Sequence, residues 1–406
     1  RFLTGGAVAG AALAAGGVAG ASPGPSGPAG PDPAGTQGPE GVSVAPLYGP
    51  HQANVLRDPT RATILTSFDA IAGSRAELAD LFATITERVK VLWEGEALAP
   101  SDPDAPPADN GILGPTVTGG RIGVILGMGA SLFDDRYGLA DRKPAGLVPM
   151  RTFPNDHLDP ALTHGDLTLQ LTADSPDLVV HALRDITKHT RGGMQPRWRF
   201  DGFASPPRPT GVPRNLFGFN DGISNPDVDE QETLDRLVWV DRIQPAWTQG
   251  GTFLVVRVIR QLVEFWDRVS LAEQELMIGR RRASGAPLDA DTASAIPDYR
   301  ADPHGQIIPL DAHIRLANPR TPETENSRIL RRGWNYDLGL DVNGNLNQGL
   351  LFLCYQQDTK RQFEATQTRL INEPMVDYVT PIGGGYFFVP PGLADRSDTY
   401  ARGLFA

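Results

Sequence analysis

An order of strand-like and helix-like segments that occurs twice along the chain constrains the fold more than any other feature. Runs rich in β-branched and aromatic residues, or alternating with a period of two, predict strands at 61–68, 121–126, 166–172 and 198–203 in the first half, and at 252–259, 350–355 and 386–389 in the second. Helices are expected after Ser74, after Asp174, and at 262–269 and 363–372. Each half therefore resembles a β-α-β-β-α-β unit, which is the ferredoxin-like arrangement. We expect an α+β fold made of two such domains.

Composition divides the chain further. Residues 1–21 are apolar but dominated by Ala and Gly, and they are too short and too weakly hydrophobic to predict a transmembrane helix. Residues 22–47 are rich in Pro and Gly, which predicts a disordered spacer. The remaining length is ample for two domains, which we place at 48–208 and 209–406, with the boundary near the proline-rich Pro206–Pro209.

Charge and cysteine content exclude several classes of function. The net charge is −11 and the pI is about 5.1, which argues against nucleic acid and anionic membranes as partners. Cys354 is the only cysteine, so an intramolecular disulfide is impossible. Because it lies in an apolar strand-like run, we interpret it as a buried packing residue.

Two segments of the second half combine polar side chains with apolar neighbours. His313 lies between Ala312 and Ile314, and a neutral imidazole in such a setting can bind a metal. Arg331 and Arg332 lie close to apolar residues, where a buried guanidinium needs an anion. From these residues alone, a core histidine and a solvated arginine pair remain an alternative.

Five pieces of sequence, in the same order, resemble the dye-decolorizing peroxidase family of haem enzymes. The resemblance covers roughly residues 50 to 406 and is similar to the exported branch that includes iron-uptake deferrochelatase/peroxidase members. The pieces are a Gly-x-x-Asp-Gly loop at Gly218–Gly222, the segments 312–315 and 329–332, and the strand-like segments 349–357 and 383–391.

The resemblance implies non-covalent haem b, one per chain, held in the C-terminal domain with His313 as the iron ligand. No Cys-x-x-Cys-His motif for covalent attachment occurs. The ring nitrogen of His313 that does not bind iron needs a hydrogen-bond acceptor. Family members carry an acidic residue at the position of Asp377, and Glu373 is the second candidate. Either carboxylate could instead be a helix-end or surface charge.

On the other face of the haem, the resemblance implies that Asp221 moves the proton between the peroxide oxygens and that Arg331 stabilises the developing charge. Asp221 could also be a simple turn residue, because Asn-Asp-Gly is a turn sequence. The resemblance further places Leu350 and Phe352 as a dry cover over the peroxide pocket, although core packing is the default interpretation of both. One branch of the family has Asn where this chain has Gly333.

The implied activity is reduction of hydrogen peroxide through a ferryl porphyrin-radical intermediate, with dyes, phenolics or other one-electron donors as reductants. Trp334 and Tyr336, which follow Arg331, are hypothetical electron relays near the surface, and core packing is the alternative for each. The competing function is a haem-handling or iron-releasing component of a metal-uptake system. Both functions require His313, and only the peroxidase requires Asp221 and Arg331.

The beginning of the sequence, Arg1-Phe2-Leu3, looks like the end of a twin-arginine export signal. We therefore expect an extracellular, cell-envelope or periplasmic protein that folds around its cofactor before export. The competing function would imply a metal-uptake or copper-chaperone partner, and the oligomeric state stays open.

Overall fold

The structure, a computed structural model, describes residues 45–97, 103–107, 109–208, 211–242 and 245–406. The expected export signal, nearly all of the spacer, and the end of the expected domain boundary lie outside these residues. Within the described residues, no helix is both long enough and apolar enough to cross a bilayer.

The first half contains one complete β-α-β-β-α-β unit. Its strands pair antiparallel in the spatial order β4-β5-β1-β6, and a two-stranded sheet of β2 and β3 lies between its first helix and its second long strand. The elements in chain order are β1 (Ala62–Ala70), α1 (Arg75–Glu94), β2 (Gly95–Ala97), β3 (Thr116–Thr118), β4 (Gly123–Gly129), β5 (Leu167–Ala173), α2 (Pro176–His189) and β6 (Met194–Phe203).

The second half repeats the arrangement in the order β10-β7-β9-β8, with the helical part between its first two strands broken into short helices. Its elements are α3 (Gln231–Leu237), β7 (Thr252–Gln261), α4 (Val263–Trp266), α5 (Leu271–Ile278), α6 (His313–Ala317), β8 (Leu330–Leu340), β9 (Leu346–Gln356), a π-helical turn (Lys360–Glu364), α7 (Ala365–Leu370), β10 (Val379–Val389) and α8 (Arg402–Phe405). Short 3₁₀ segments occur at Ala53–Val55, Ala130–Phe133, Ala140–Arg142, Pro160–Leu162, Ala246–Thr248, Glu325–Ser327 and Pro374–Asp377. The sequence analysis did not identify β8 as a strand.

The eight long strands of the two halves close into a single antiparallel barrel. An eight-stranded barrel is just wide enough for its interior to be filled by side chains. Here the interior is apolar and includes Leu65, Trp334, Leu351 and Phe387. The prediction of an α+β fold built from two ferredoxin-like units is confirmed.

Helices cover the outer faces of the barrel. α1 and α2 pack on the first half over a core that includes Phe68, Phe82 and Leu169. The expected capping of α1 is confirmed, because the Ser74 side chain accepts a hydrogen bond from the backbone N–H of Glu77. On the second half the covering elements are shorter, and they leave room for a cavity.

Gln52 bridges one of the two places where the halves meet. β4 and β10 pair at only two positions, Gly129 with Phe387 and Met128 with Phe388. The Gln52 amide donates to the carbonyls of Leu126 and Pro390 at 3.1 and 3.0 Å, and its oxygen accepts from the Leu126 N–H at 3.0 Å. A buried side-chain amide thus supplies hydrogen bonds where the ladder between the halves is short.

Replacing Gln52 with Leu should lower the free energy of unfolding by about 1–3 kcal/mol per polar group left without a partner. The side chain is only 4 % exposed, so water cannot readily take its place. Denaturant unfolding followed by circular dichroism would measure the change. The matched control is Gln195→Leu on the exposed side of β6, which should have little effect. Equal stability of both variants would contradict a joining role for Gln52.

Candidate active site

A cavity lies on the outer side of the second half, against β7, β9 and α6. Five of the side chains singled out in the sequence line it, and so does Glu373; Asp377 is not among the lining residues. The predicted residues found there are Asp221, His313, Arg331, Leu350 and Phe352. The structure therefore brings together residues that are far apart in the sequence.

His313 is the first residue of the five-residue helix α6, directly after the buried Ala312. Its Nδ1 lies 2.6 Å from Oε2 of Glu373, which is buried. Burial lowers the pKa of His313, but the charge of Glu373 and the hydrogen bond to it outweigh burial, so that the pKa is raised above its ordinary value. A carboxylate acceptor at Nδ1 leaves Nε2 as the nitrogen available to a ligand.

Glu373, the second candidate, takes the place that the sequence analysis gave to Asp377. Asp377 ends the 3₁₀ segment that begins at Pro374, and it is exposed. The physical reason is the course of the backbone. Glu373 is extended and lies just before Pro374, where the chain passes α6, whereas Asp377 lies at the far end of the 3₁₀ segment. The expectation of Asp377 as partner of His313 is therefore corrected to Glu373.

Asp221 lies on the loop that carries the Gly-x-x-Asp-Gly sequence. Gly218 and Gly222 have φ of +84° and +102°, conformations that strongly favour glycine. The N–H of Asp221 donates to the carbonyl of Pro213 at 2.9 Å. The two glycines thus allow the chain to turn sharply on either side of Asp221. The turn interpretation is therefore correct for the backbone. The carboxylate of Asp221 faces the cavity.

Arg331 meets Asp221 inside the cavity. Its Nη1 lies 3.0 Å from Oδ1 of Asp221, and both side chains are partly exposed. Gly333 is two residues further along β8, and a Cβ atom there would lie 3.2 Å from Oδ2 of Asp221. A side chain at this position would therefore crowd the Asp221 carboxylate. Glycine at 333, where one branch of the family has Asn, leaves that space free. The neighbouring Arg332 points the other way, is 3 % exposed, and lies 3.9 Å from Asp58.

Leu350 and Phe352 form part of the apolar wall. They alternate with Leu351 and Leu353 along β9, so the first pair faces the cavity and the second pair faces the barrel interior. Phe352 packs against Phe363 with 6.1 Å between the ring centroids. The wall is therefore held by aromatic packing from the π-helical turn behind it.

Another part of the lining is cationic, and the sequence analysis missed it. Arg280 is 5 % exposed and donates to the carbonyls of Gly285 and Ala293, yet no described carboxylate lies within ion-pair distance of it. The Nε atoms of Arg320 and Arg328 are buried with no hydrogen-bond partner among the described residues. Burial lowers the pKa of Arg280, while it raises the pKa of the nearby Tyr299 to about 12. Single arginines scattered over fifty residues give no motif by which sequence could have found them.

Trp334 and Tyr336 do not lie near the surface. They are 3 % and 0 % exposed and belong to the core inside the barrel. The Trp334 indole donates to the carbonyl of Thr60 at 2.9 Å. The core-packing alternative is therefore correct for both, and their expected position near the surface is wrong.

Fold and site define an α+β protein in which a histidine–carboxylate pair and an arginine–carboxylate pair share one largely apolar cavity. Two family models match the chain: "Dyp-type peroxidase, N-terminal" over residues 52–204 and "Dyp-type peroxidase, C-terminal" over residues 212–394. The chain belongs to the Dyp-type peroxidase family, which confirms the resemblance and the expectation of a peroxidase-family enzyme.

Relatives agree with this assignment. The deferrochelatase of Escherichia coli K12 is 47 % identical over 367 residues, covering 88 % of this chain and 86 % of its own length. A DyP-type peroxidase structure from Cellulomonas bogoriensis has a TM-score of 0.78 at 34 % identity, covering 91 % of this chain and 99 % of that one. Ferric DtpA from Streptomyces lividans has a TM-score of 0.80 at 32 % identity, covering 89 % and 97 %.

In the cofactor-free protein, Glu373→Gln should lower the pKa of His313, because the charge and the acceptor that raise it are removed while burial remains. An NMR titration of the His313 ring would measure this. Asp377→Asn is the control and should leave the titration unchanged, since Asp377 is exposed and Glu373 keeps its contact. A downward shift in the Asp377 variant alone would show that the assignment to Glu373 is wrong.

Proposed function

We propose that this protein is a haem b peroxidase that reduces hydrogen peroxide and oxidises one-electron donors such as dyes or phenolics. One observation carries the proposal: the His313–Glu373 pair and the Arg331–Asp221 pair line the same cavity. The first pair suits an axial ligand to iron, and the second suits the handling of peroxide. Membership of the Dyp-type peroxidase family supports the same function.

The lining fits haem by charge as well as by ligand. Haem carries two propionates, and a buried guanidinium without a carboxylate partner calls for an anion. Among the described residues, Arg280 has no such partner, and Arg320 and Arg328 each keep a buried Nε without an acceptor, although Nη1 of Arg328 pairs with Glu325 at 2.8 Å. We assign the propionates to this cationic part, with one non-covalent haem b per chain and His313 as its protein ligand. The S. lividans relative is described as ferric and oxyferrous, in accord with a bound iron.

When bound, haem b supplies the iron at which peroxide is reduced. Glu373 holds the His313 imidazole in one tautomer and increases its basicity. Asp221 would accept a proton from one oxygen of hydrogen peroxide and return it to the other oxygen. The guanidinium of Arg331 would stabilise the negative charge that develops during peroxide reduction. Leu350 and Phe352 limit the access of water and of bulky donors.

A second function has a specific observation in its favour, because the 47 % identical relative is a deferrochelatase. Such a function would use the same cavity and His313 to bind haem and release its iron. It places no demand on proton transfer by Asp221. The two functions therefore differ in the residues that they need.

The proposed setting is outside the cytoplasm, reached by the twin-arginine route. A protein that must bind its cofactor in a largely apolar cavity is suited to a route that carries folded proteins. A metal-uptake or copper-chaperone partner belongs with the second function.

Asp221→Asn should slow the peroxide-dependent change of the Soret band by about 10²–10⁴-fold, because the amide cannot shuttle a proton. Stopped-flow absorbance with one equivalent of hydrogen peroxide would measure it on the haem-loaded protein. Asp201→Asn, on the exposed side of β6, is the matched control and should react like the wild type.

Three outcomes separate the proposals. A slow reaction in Asp221→Asn alone supports both the peroxidase and the proton shuttle. Fast reaction in both variants keeps the peroxidase but contradicts the role of Asp221. No reaction of the wild type, together with transfer of iron to an external chelator that Asp221→Asn leaves unchanged, would favour the iron-releasing function.

A further inference from the structure

The Asp221–Arg331 pair joins two different kinds of backbone. Asp221 lies on an irregular loop, whereas Arg331 lies on β8. A partly exposed ion pair is weak and does not by itself fix the distance between two backbones. The proton shuttle proposed above requires that distance to be fixed, so the contacts that hold the loop against the strand are decisive.

Asn225, four residues after Asp221 on the same loop, makes a reciprocal pair of hydrogen bonds with the backbone of Arg331. Its Nδ2 donates to the Arg331 carbonyl at 2.9 Å, and its Oδ1 accepts from the Arg331 N–H at 3.0 Å. A residue of a neighbouring antiparallel strand would make the same two bonds. The Asn225 side chain therefore occupies the place of a strand partner.

The Arg331 backbone is free to bind Asn225 because the hydrogen-bonded pairing of β6 with β8 does not extend as far as Arg331. On one side Arg331 is paired with Cys354 of β9. On the other side β6 pairs with β8 only between Phe203 and Asn335. Without Asn225, the N–H of Arg331 would lose the partner that it has at this strand edge, and the carbonyl would keep only its hydrogen bond from the Arg332 guanidinium at 3.1 Å.

The part of the loop before Asp221 is held on the same strand. The Asn335 amide donates to the Arg214 carbonyl at 3.0 Å, and the Arg214 guanidinium donates to the Gly218 carbonyl at 2.7 Å. The carboxylate thus lies between two attachments to β8. Only the Asn225 attachment contacts the residue that supplies the guanidinium.

We propose that Asn225 is a positioning residue that sets the separation of the Asp221 carboxylate and the Arg331 guanidinium. The proposal deepens the proposed peroxidase function and rests on the roles given there to Asp221 and Arg331. Asn225 itself does not take part in proton transfer; it acts through the two backbones that it connects.

The chemistry of the contact selects asparagine. A primary amide carries one acceptor and two donors on a single planar group, which matches one backbone N–H and one backbone C=O. Aspartate has nearly the same shape but cannot donate to the Arg331 carbonyl. Its negative charge would face that carbonyl oxygen and repel it. Asn225→Asp is therefore a sharp test of the contact.

The experiment measures the second-order rate constant for hydrogen peroxide with the haem-loaded full chain, together with haem affinity by titration. Asn225→Asp should slow the reaction by about ten- to hundredfold, the range expected for misplacement by up to about an ångström. Haem affinity should be unchanged, because the hydrogen bonds of Asn225 go to the backbone of Arg331 and not to His313 or to the arginines assigned to the propionates. Asn343→Asp, the same change on the exposed β8–β9 turn, is the control and should react like the wild type.

A double-mutant cycle distinguishes positioning from general destabilisation. If Asn225 acts through Asp221, adding Asn225→Asp to Asp221→Asn should cause no further slowing. Further slowing by the full factor of the single variant would overturn the proposal. If Asn225→Asp does not fold, Asn225→Ala is judged by the same cycle, since water can then reach the backbone of Arg331.

Failure of this inference is distinguishable from failure of the proposed function. A wild-type rate in Asn225→Asp with a slow Asp221→Asn overturns the inference and leaves the proton shuttle intact. A wild-type rate in Asp221→Asn removes the shuttle itself, and with it the role of Asn225.

Discussion

The antiparallel pairing of β8 with β9 is the interaction on which the site depends. Its register sets Gly333 opposite Phe352 and Trp334 opposite Leu351. Because side chains alternate across a strand, one face of this pair lines the cavity and the other fills the barrel. A slip by one residue would move Arg331 into the apolar interior and expose Trp334 to the cavity. Burial of the interior side chains therefore fixes the position of the charged ones.

The two carboxylates of the cavity have partners of different chemistry, and this separates their roles. Arg331 contributes a guanidinium cation, so Asp221 lies beside a positive charge. The imidazole of His313 can be neutral or protonated, and only the neutral form binds a metal. In the cofactor-free chain Glu373 favours the protonated form, whereas beside a metal the same carboxylate would hold the proton on Nδ1 and leave Nε2 for the ligand bond. The contact between His313 and Glu373 would therefore favour a protonated imidazole without a metal and a neutral, ligating imidazole with one.

Sequence patterns predicted most of the fold because most strands bury one or both faces. Runs that are fully or largely buried, such as β5 and β7, are rich in apolar residues, and the sequence patterns predicted them. β8 was not, because Arg332 interrupts its inward face and Arg331, Gly333 and Asn335 occupy its outward face. These residues are selected by the cavity and the loop rather than by strand formation. The strand that carries Arg331 was for that reason the least strand-like of the barrel strands in sequence.

The choice between Glu373 and Asp377 shows where sequence reasoning ends. Both are acidic, both lie close to Pro374, and both are at a plausible distance along the chain from His313. Their difference arises only when β10 and α6 are placed on the barrel, which buries Glu373 and leaves Asp377 exposed. The same holds for Arg280: that none of the described carboxylates pairs with it is a property of the packed cavity and not of its neighbours in the chain. Local sequence patterns indicate which types of residue a site contains. The topology of the fold then determines which residue of each type lies in the site.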